Sequence, residues 1–149
     1  MIIDTAKIEH AILHQGTAQW TASRFGLSPA LVNQYRANPD AKAYRDWHRM
    51  SLETAEIIMN TILEEEKAME NKKRFEEDVE KYGKSVAFDD AVSEIYANLP
   101  DGLEIGDTQT YCLSGADKNG NSAGFDFEVV SLDEDGIPEF EYTGFNSIL

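Results

Sequence analysis

The chain has 149 residues, a formal net charge of −15 and 42% hydrophobic residues. This length fits one ordinary domain or two small ones, and the hydrophobic content excludes a wholly disordered chain. A single cysteine, Cys112, cannot form an internal disulfide, and no apolar run approaches the length needed to cross a bilayer. We therefore expect a cytoplasmic protein that does not contact membranes.

The charge is distributed unevenly along the chain. Residues 1–50 hold 6 Lys and Arg against 4 Asp and Glu, and residues 51–84 hold 6 against 10. Residues 85–149 hold 14 acidic residues against one basic residue, Lys118. Such an asymmetry predicts two functional units with opposite electrostatic preferences.

Short helices fill the first third of the predicted structure. Capping residues, glycines and a proline bound four of them: Asp4 to about Gln15, Thr17 to Phe25, Ser28 to Arg36, and Ala41 to Arg49.

In the middle of the chain, the apolar spacing predicts a helix that begins at Ser51. Its apolar side comprises Leu52, Ala55, Ile58, Met59, Ile62 and Leu63. Beyond Leu63 the apolar pattern thins, and one long helix or two helices joined near Asn71 fit equally well. Tyr82-Gly83-Lys84 marks the best domain boundary.

The last third predicts one helix, Ser85 to Leu99, and then a change to the alternation of β-strands. Three strand-like segments are separated by turn-forming residues: Thr110 to Leu113, Phe125 to Leu132, and Ile137 to Tyr142. We predict an antiparallel meander with one face packed on the preceding helix and the other face bearing carboxylates. The fold class is therefore α+β, with a helical domain in residues 1–63, a helical connector in 64–84 and an acidic α+β domain in 85–149.

Residues 17–36 match the requirements of a helix-turn-helix. Such a motif needs a small residue where two short helices cross, a glycine at the turn, and apolar residues that hold the second helix down. Ala22 and Gly26 meet the first two requirements, and Phe25, Leu27, Val32 and Tyr35 meet the third.

On these residues, segment 4–63 resembles the lambda-repressor-like (Cro-like) helix-turn-helix family. The stretch 47–56 also resembles the helix entry of small regulators from phages and mobile elements. The resemblance implies a recognition helix that reads double-stranded DNA through Ser28, Ala30, Asn33 and Gln34, with Arg24, Arg36, Arg45 and Arg49 on the DNA backbone. Because residues 1–50 carry a charge of only +2, we expect a homodimer, with the helix from Ser51 as its dimer element. The alternative is a helical packing unit that does not bind DNA.

The acidic domain predicts a basic protein partner, because its surface repels DNA. A row of carboxylates can imitate a phosphate backbone and attract a nucleic-acid-binding groove. The predicted contact residues are Asp126, Glu128, Asp133, Glu134, Asp135, Glu139 and Glu141.

Taken whole, the chain resembles mobile-element regulators in which a helix-turn-helix is joined to an anti-CRISPR domain. The resemblance implies an autorepressor in a bacterial host cell whose acidic domain inhibits a basic protein such as a CRISPR nuclease. Two alternatives stay open. One is a plain repressor whose acidic domain dimerises or senses a ligand, and the other is a protein inhibitor whose helical domain no longer binds DNA.

Metal and enzyme chemistry find little support in the sequence. Asp117, Asn119, Asn121 and Glu128 have the spacing of a calcium loop, but Ser122 stands where its glycine is expected and the flanks are strand-like. A hairpin turn explains the Asp and Asn residues without a metal. His10 and His14 are four residues apart without further zinc ligands nearby. No nucleophile elbow or phosphate-binding loop is present, so we expect a non-enzyme without cofactors.

Overall fold

The computed structural model describes residues 2–148, with the side chain of Ile148 left out. Across these residues the chain is α+β, as the sequence predicts, with five α-helices and one three-stranded antiparallel sheet. The elements in chain order are α1 Thr5–Glu9, α2 Ala18–Phe25, α3 Pro29–Arg36, α4 Leu52–Glu80, α5 Phe88–Ala97, β1 Thr108–Leu113, β2 Ala123–Leu132 and β3 Pro138–Ile148. Backbone packing divides the chain into two compact units, Met1–Glu66 and Lys67–Leu149, and the division falls inside α4.

The first helix begins as the sequence predicts, with the Asp4 carboxylate accepting a hydrogen bond from the Lys7 amide at 3.2 Å. Its last turn, His10–His14, is π-helical rather than α-helical. Ile8 and Ile12 are buried in the core of the helical unit, together with Ile58, Met59 and Ile62 of α4. This core positions α2 and α3 against the first half of α4.

The predicted helix from Ala41 to Arg49 is wrong, because only Trp47–Arg49 forms a short 3₁₀ turn. The backbone of the preceding segment is bonded in other ways. Asn38 accepts hydrogen bonds from the Asp40 and Ala41 amides, and the Arg45 amide donates back to the Gln34 carbonyl at 3.0 Å. Local bonds of this kind compete with helix formation and hold the segment as turns.

Helix α4 is continuous from Leu52 to Glu80, which settles the choice between one helix and two. The predicted apolar side is correct for Ala55, Ile58, Met59 and Ile62, which are buried. It is wrong for Leu52 and Leu63, which are 67% and 42% exposed at the margins of the buried stripe.

The second half of α4 supplies part of the core of the sheet unit. Phe75 and Val79 are fully buried among aromatic side chains of the sheet and Phe88 of α5. The α5 helix is shorter than the predicted Ser85 to Leu99. Each of the three predicted strands is present and longer than predicted, and β3 continues to Ile148 past a register shift near Gly144.

The sheet is a meander of order β1-β2-β3 with one face on the helices, as predicted. Phe125, Phe127 and Val129 of β2 point into the core, and Asp126 and Glu128 alternate with them on the outer face. Strict alternation fixes this division, because successive side chains of a strand point to opposite faces.

A buried tyrosine joins β3 to α4. The Tyr142 hydroxyl donates a hydrogen bond to the Asp78 carboxylate at 2.6 Å. Burial, then the bond to Asp78, raise the pKa of Tyr142 far above its ordinary 10.0. Burial raises the pKa of Asp78, but hydrogen bonds from Tyr142 and Lys81 outweigh it and leave the pKa below 3.8.

This pair predicts a loss of stability in acid. Because the folded-state pKa of Asp78 is lowered, its contribution is present above about pH 4 and is lost as the pH falls through the folded value. The variant Asp78→Asn keeps an acceptor for Tyr142 but cannot titrate. We expect its free energy of unfolding in urea to lie below that of the wild type at pH 7, and the difference to shrink as the pH falls below 4. A constant difference between the two proteins from pH 7 to 2.5 would contradict this assignment.

Candidate functional site

The α2–α3 pair has a tight turn built from local signals. Thr17 caps α2 and Ser28 caps α3, each through a hydroxyl that accepts a backbone N–H three residues later at 3.1 Å. Between them Gly26 is left-handed, with φ +68°, and the Leu27 amide donates to the Ala22 carbonyl at 2.9 Å. Glycine adopts this conformation without the penalty that other residues meet. The turn therefore sets the angle at which α3 leaves α2.

One side of α3 is buried and the other is open. Val32 and Tyr35 are buried against the helical core, whereas Ser28, Ala30 and Asn33 are exposed. Gln34, at the margin, is half-buried. Ala30 and Asn33 thus lie on the accessible side of α3 with Gln34 at its margin, and Ser28 is the exposed residue that caps its start.

The polar groups on this side differ in their availability. The Ser28 hydroxyl is used as the helix cap. Within residues 2–148, the side-chain amides of Asn33 and Gln34 make no hydrogen bond, so both present unused donors and acceptors. Ala30 offers only a small apolar contact.

Four arginines were predicted to contact the DNA backbone, and two of them are bonded inside the helical unit. Arg24 binds the Glu65 carboxylate and donates to Gln15 at 2.7 Å, and its side chain is only 11% exposed. Its guanidinium also lies over the rings of Trp20 and Phe25, at 5.2 and 4.7 Å from their centroids. Arg24 therefore serves packing first.

Arg36 makes more hydrogen bonds within the helical unit than Arg24 does. Its guanidinium donates to the carbonyls of Ile12, Gln15 and Gly16 at 2.7, 3.0 and 2.8 Å, and to the Thr21 hydroxyl at 3.1 Å. The carbonyls at a helix C-terminus lack internal partners, and a cation there is favourable. Arg36 thus fastens α3 to the end of the first helix.

Arg45 and Arg49 are the available cations of the predicted set. Both are exposed, and in the described residues neither guanidinium forms an ion pair. They line an open cleft of about 770 Å³ beside α3, together with Leu31, Tyr35, Tyr44, Asp46, Met50, Ser51 and Thr54. Exposed Lys42 lies on the same segment of the chain and was not among the predicted residues. Its place among turns, which are usually exposed, is the signal that would have indicated it.

The seven predicted acidic contact residues occupy two adjoining places. Asp126, Glu128, Glu139 and Glu141 lie on β2 and β3, each next to a buried residue that points the opposite way. Asp133, Glu134 and Asp135 form the turn between these strands. The Asp133 carboxylate is used there, since it accepts the Asp135 and Ile137 amides at 2.9 and 2.8 Å.

Two of the sheet carboxylates face each other directly. Glu128 and Glu141 are cross-strand partners, and like charges in this position destabilise a sheet. Asp126 is better compensated, because it accepts hydrogen bonds from Thr110 at 2.7 Å and Asn146 at 3.2 Å. The outer face therefore concentrates negative charge that a positively charged partner would relieve.

Removing one of the facing charges should stabilise the protein. We expect Glu141→Gln to raise the free energy of unfolding by about 0.2–1 kcal/mol at low salt. The gain should shrink at high salt, because salt screens exposed charges. Urea denaturation at two salt concentrations measures it, with Glu134→Gln in the exposed turn as the control. An equal effect of both substitutions would contradict the cross-strand repulsion.

The residues considered for a calcium loop include three that bond to one another, Asp117, Asn119 and Asn121. The Asp117 carboxylate accepts the amides of Asn119 and Asn121, both at 2.9 Å, as in a turn. These bonds, led by those from Asn121, lower the pKa of Asp117. Over residues 2–148, no three His, Cys, Asp or Glu side chains are grouped to hold a metal ion.

Comparisons with known proteins add no assignment. No protein-family model matches the chain, and neither the curated proteins nor the solved structures give a match. Within the described part of the chain, no helix has the length and apolar character needed to cross a membrane.

Proposed function

We propose that the chain is a sequence-specific DNA-binding regulator that inserts α3 into the major groove. The observation that carries this proposal is the α2–α3 pair. Its turn at Gly26 is tight, its second helix is capped, and that helix exposes the free amides of Asn33 and Gln34 while Val32 and Tyr35 hold it down. Asn and Gln form paired hydrogen bonds to adenine in the major groove.

The charge of the helical unit supports a role for a dimer. Residues 1–66 hold 6 basic and 9 acidic residues, and Arg24 and Arg36 are used internally. Arg45, Arg49 and exposed Lys42 on the same segment remain to contact phosphates, which gives one copy little electrostatic affinity. Two copies with α3 helices one DNA turn apart, about 34–36 Å, would double these contacts. A homodimer that represses its own promoter in a phage or other mobile element is the regulator that we propose.

The second part of the proposal concerns the acidic unit. Residues 67–149 hold 7 basic and 19 acidic residues, a net charge of −12. DNA cannot approach such a surface, whereas a basic protein is attracted to it. We assign the outer face of the sheet to a basic nucleic-acid-binding protein, such as a CRISPR nuclease, which it would inhibit.

Selection from a pool of random duplexes tests the DNA-binding part. The full-length wild type should enrich one motif. The double variant Asn33→Ala/Gln34→Ala should bind that motif at least about tenfold more weakly, because each lost base contact costs roughly 1–3 kcal/mol. Asn119→Ala, an exposed substitution in the turn between β1 and β2, is the matched control and should select the same motif as the wild type.

Two results would contradict the proposal: no enrichment by the folded wild type, or an unchanged motif and affinity with the double variant. The first would favour a protein inhibitor whose helical unit does not bind DNA. The internal use of Arg24 and Arg36 is the observation that favours this second candidate.

A further inference from the structure

The two edges of the sheet are treated differently. The edge of β3 is blocked by α4 at its middle, because the Asn71 side chain pairs with both the C=O and the N–H of Tyr142, at 2.8 and 2.9 Å. Arg74 donates to the next carbonyl, that of Thr143, at 2.7 Å. Asn71 thus occupies the place of a neighbouring strand. This edge cannot accept another chain there.

The edge of β1 is open. Its one neighbouring strand is β2, where the N–H and C=O of Val129 are bonded to Asp107 and Gly106. Because backbone groups alternate in direction along an antiparallel pair, the N–H and C=O groups of Thr110 and Cys112 point away from β2. Within residues 2–148 no group bonds to them.

Natural sheets usually protect such an edge with lysine, proline or a bulge. Strand β1, Thr-Gln-Thr-Tyr-Cys-Leu, contains neither residue, and its pairing with β2 is regular from Thr108 to Leu113. Its sequence leaves the edge suited to pairing with another strand.

A groove runs beside this edge. A cavity of about 260 Å³ separates β1 from α5 and is lined by Glu94, Ile95, Asn98, Gln109, Thr110, Tyr111 and Cys112. A groove between an edge strand and a helix is a place where an extended peptide can add to a sheet, with main-chain bonds for affinity and alternate side chains for specificity.

The charge around the groove identifies its occupant. Glu94 lines the α5 side and Asp90 lies one turn earlier on that helix. On the outer face, Asp126 is bonded to Thr110, and Glu128 is the cross-strand partner of Thr108. A second copy of this chain would bring another unit of charge −12 to the same place, whereas a lysine- or arginine-bearing strand is attracted to it.

We infer that the β1 edge binds an extended basic segment of the partner protein by strand addition. The segment continues the sheet beyond β1, bonds to the N–H and C=O groups of Thr110 and Cys112, and places alternate basic side chains toward Glu94. Six residues of β1 span about 20 Å, which sets the length of the segment. This inference rests on the second part of the proposed function, the binding of a basic protein.

The test uses the full-length protein and two fluorescent ten-residue peptides of equal charge, one alternating Lys and Val and the other alternating Lys and Pro. Proline cannot form the ladder of a strand. We expect the Lys–Val peptide to bind at least tenfold more tightly, and to slow hydrogen exchange at the Thr110 and Cys112 amides at least tenfold.

Two variants separate the edge from the charge. Thr110→Pro keeps every charge and removes one outward N–H, so it should lose the preference for the Lys–Val peptide. Glu94→Gln keeps the edge and should weaken both peptides several-fold. Circular dichroism checks the folding of each variant, and the comparison of peptides on the wild type does not depend on either variant.

The remaining outcomes overturn the inference in distinguishable ways. Equal binding of both peptides would mean that charge alone attracts basic segments, which removes the edge and leaves the proposed function. If neither peptide binds but protamine, a basic protein probe, still does, the β1 edge is likewise ruled out and the proposed function remains. Binding of none of these probes removes the basic-protein function itself. Loss of a wild-type dimer in Thr110→Pro, measured by sedimentation, would identify the occupant as a second copy.

Discussion

Replacing Phe75 with alanine is expected to unfold the sheet unit or leave it marginally stable. The Phe75 ring is fully buried and lies against five others, from Phe127 and Tyr142 at 5.3 Å between centroids to Tyr111 at 6.1 Å. Removing such a side chain lowers the free energy of unfolding by about 3–5 kcal/mol, and the free energy of unfolding of a whole domain is only about 5–15 kcal/mol.

Hydrogen exchange measures this effect where it arises. Amides of β2 should lose most of their protection in Phe75→Ala, and Phe75→Leu should retain more of it. Met69→Ala, at a 71% exposed position of the same helix, is the matched control and should change protection little. A loss below about 1 kcal/mol in Phe75→Ala would show that α4 does not complete the sheet core.

Replacing Arg36 with alanine should destabilise the helical unit by about 2–3 kcal/mol. The substitution removes four charge-assisted hydrogen bonds at once and leaves carbonyls at the end of the π-helical turn without their donor. Both tryptophans, Trp20 and Trp47, lie in this unit, so their fluorescence in a denaturant titration reports on it.

Arg49→Ala is the matched control for Arg36. It removes an exposed cation of the same type, and its stability should change by less than about 0.5 kcal/mol. Although Arg49→Ala should leave the fold intact, it should weaken DNA binding. Equal and small losses of stability in both variants would contradict the structural role of Arg36.

The features predicted correctly from the sequence are those with local causes. The caps at Asp4, Thr17 and Ser28 depend on a side chain and an amide three residues apart, and Gly26 depends on its own φ. The alternation in β2 separates its two faces in the same way. Each of these signals is contained in a few consecutive residues.

The features that the sequence did not predict depend on distant partners. Arg36 contacts residues 15 to 24 positions away, and Asn71 pairs with β3 across 71 positions. An exposed arginine and one that is bonded inside the unit have the same local sequence pattern. For this reason the sequence placed Arg24 and Arg36 on DNA, whereas the structure shows them bound within the helical unit.

The exposure of Leu63 and the extent of the Ala41 to Arg49 segment have a similar explanation. Helical periodicity placed Leu63 on the apolar side of its helix, and the turn before Ala41 suggested that a helix begins there. Packing at the margin of the apolar stripe and the bond from the Arg45 amide to Gln34 decide the outcome. The exposure of Leu63 and the turns of segment 41–49 depend on tertiary contacts, which composition and residue spacing do not reveal.

The measurement that tests the central claim most directly is a gel-shift titration of the full-length protein at two salt concentrations. The two duplexes are the DNA upstream of its own gene and a scrambled duplex of equal length. We predict tighter binding to the upstream duplex, weaker binding at high salt, and a smaller salt dependence in Arg49→Ala by about one phosphate contact per copy. Equal affinity for both duplexes, or no shift of either by the folded protein at low salt, would contradict recognition of DNA by α3.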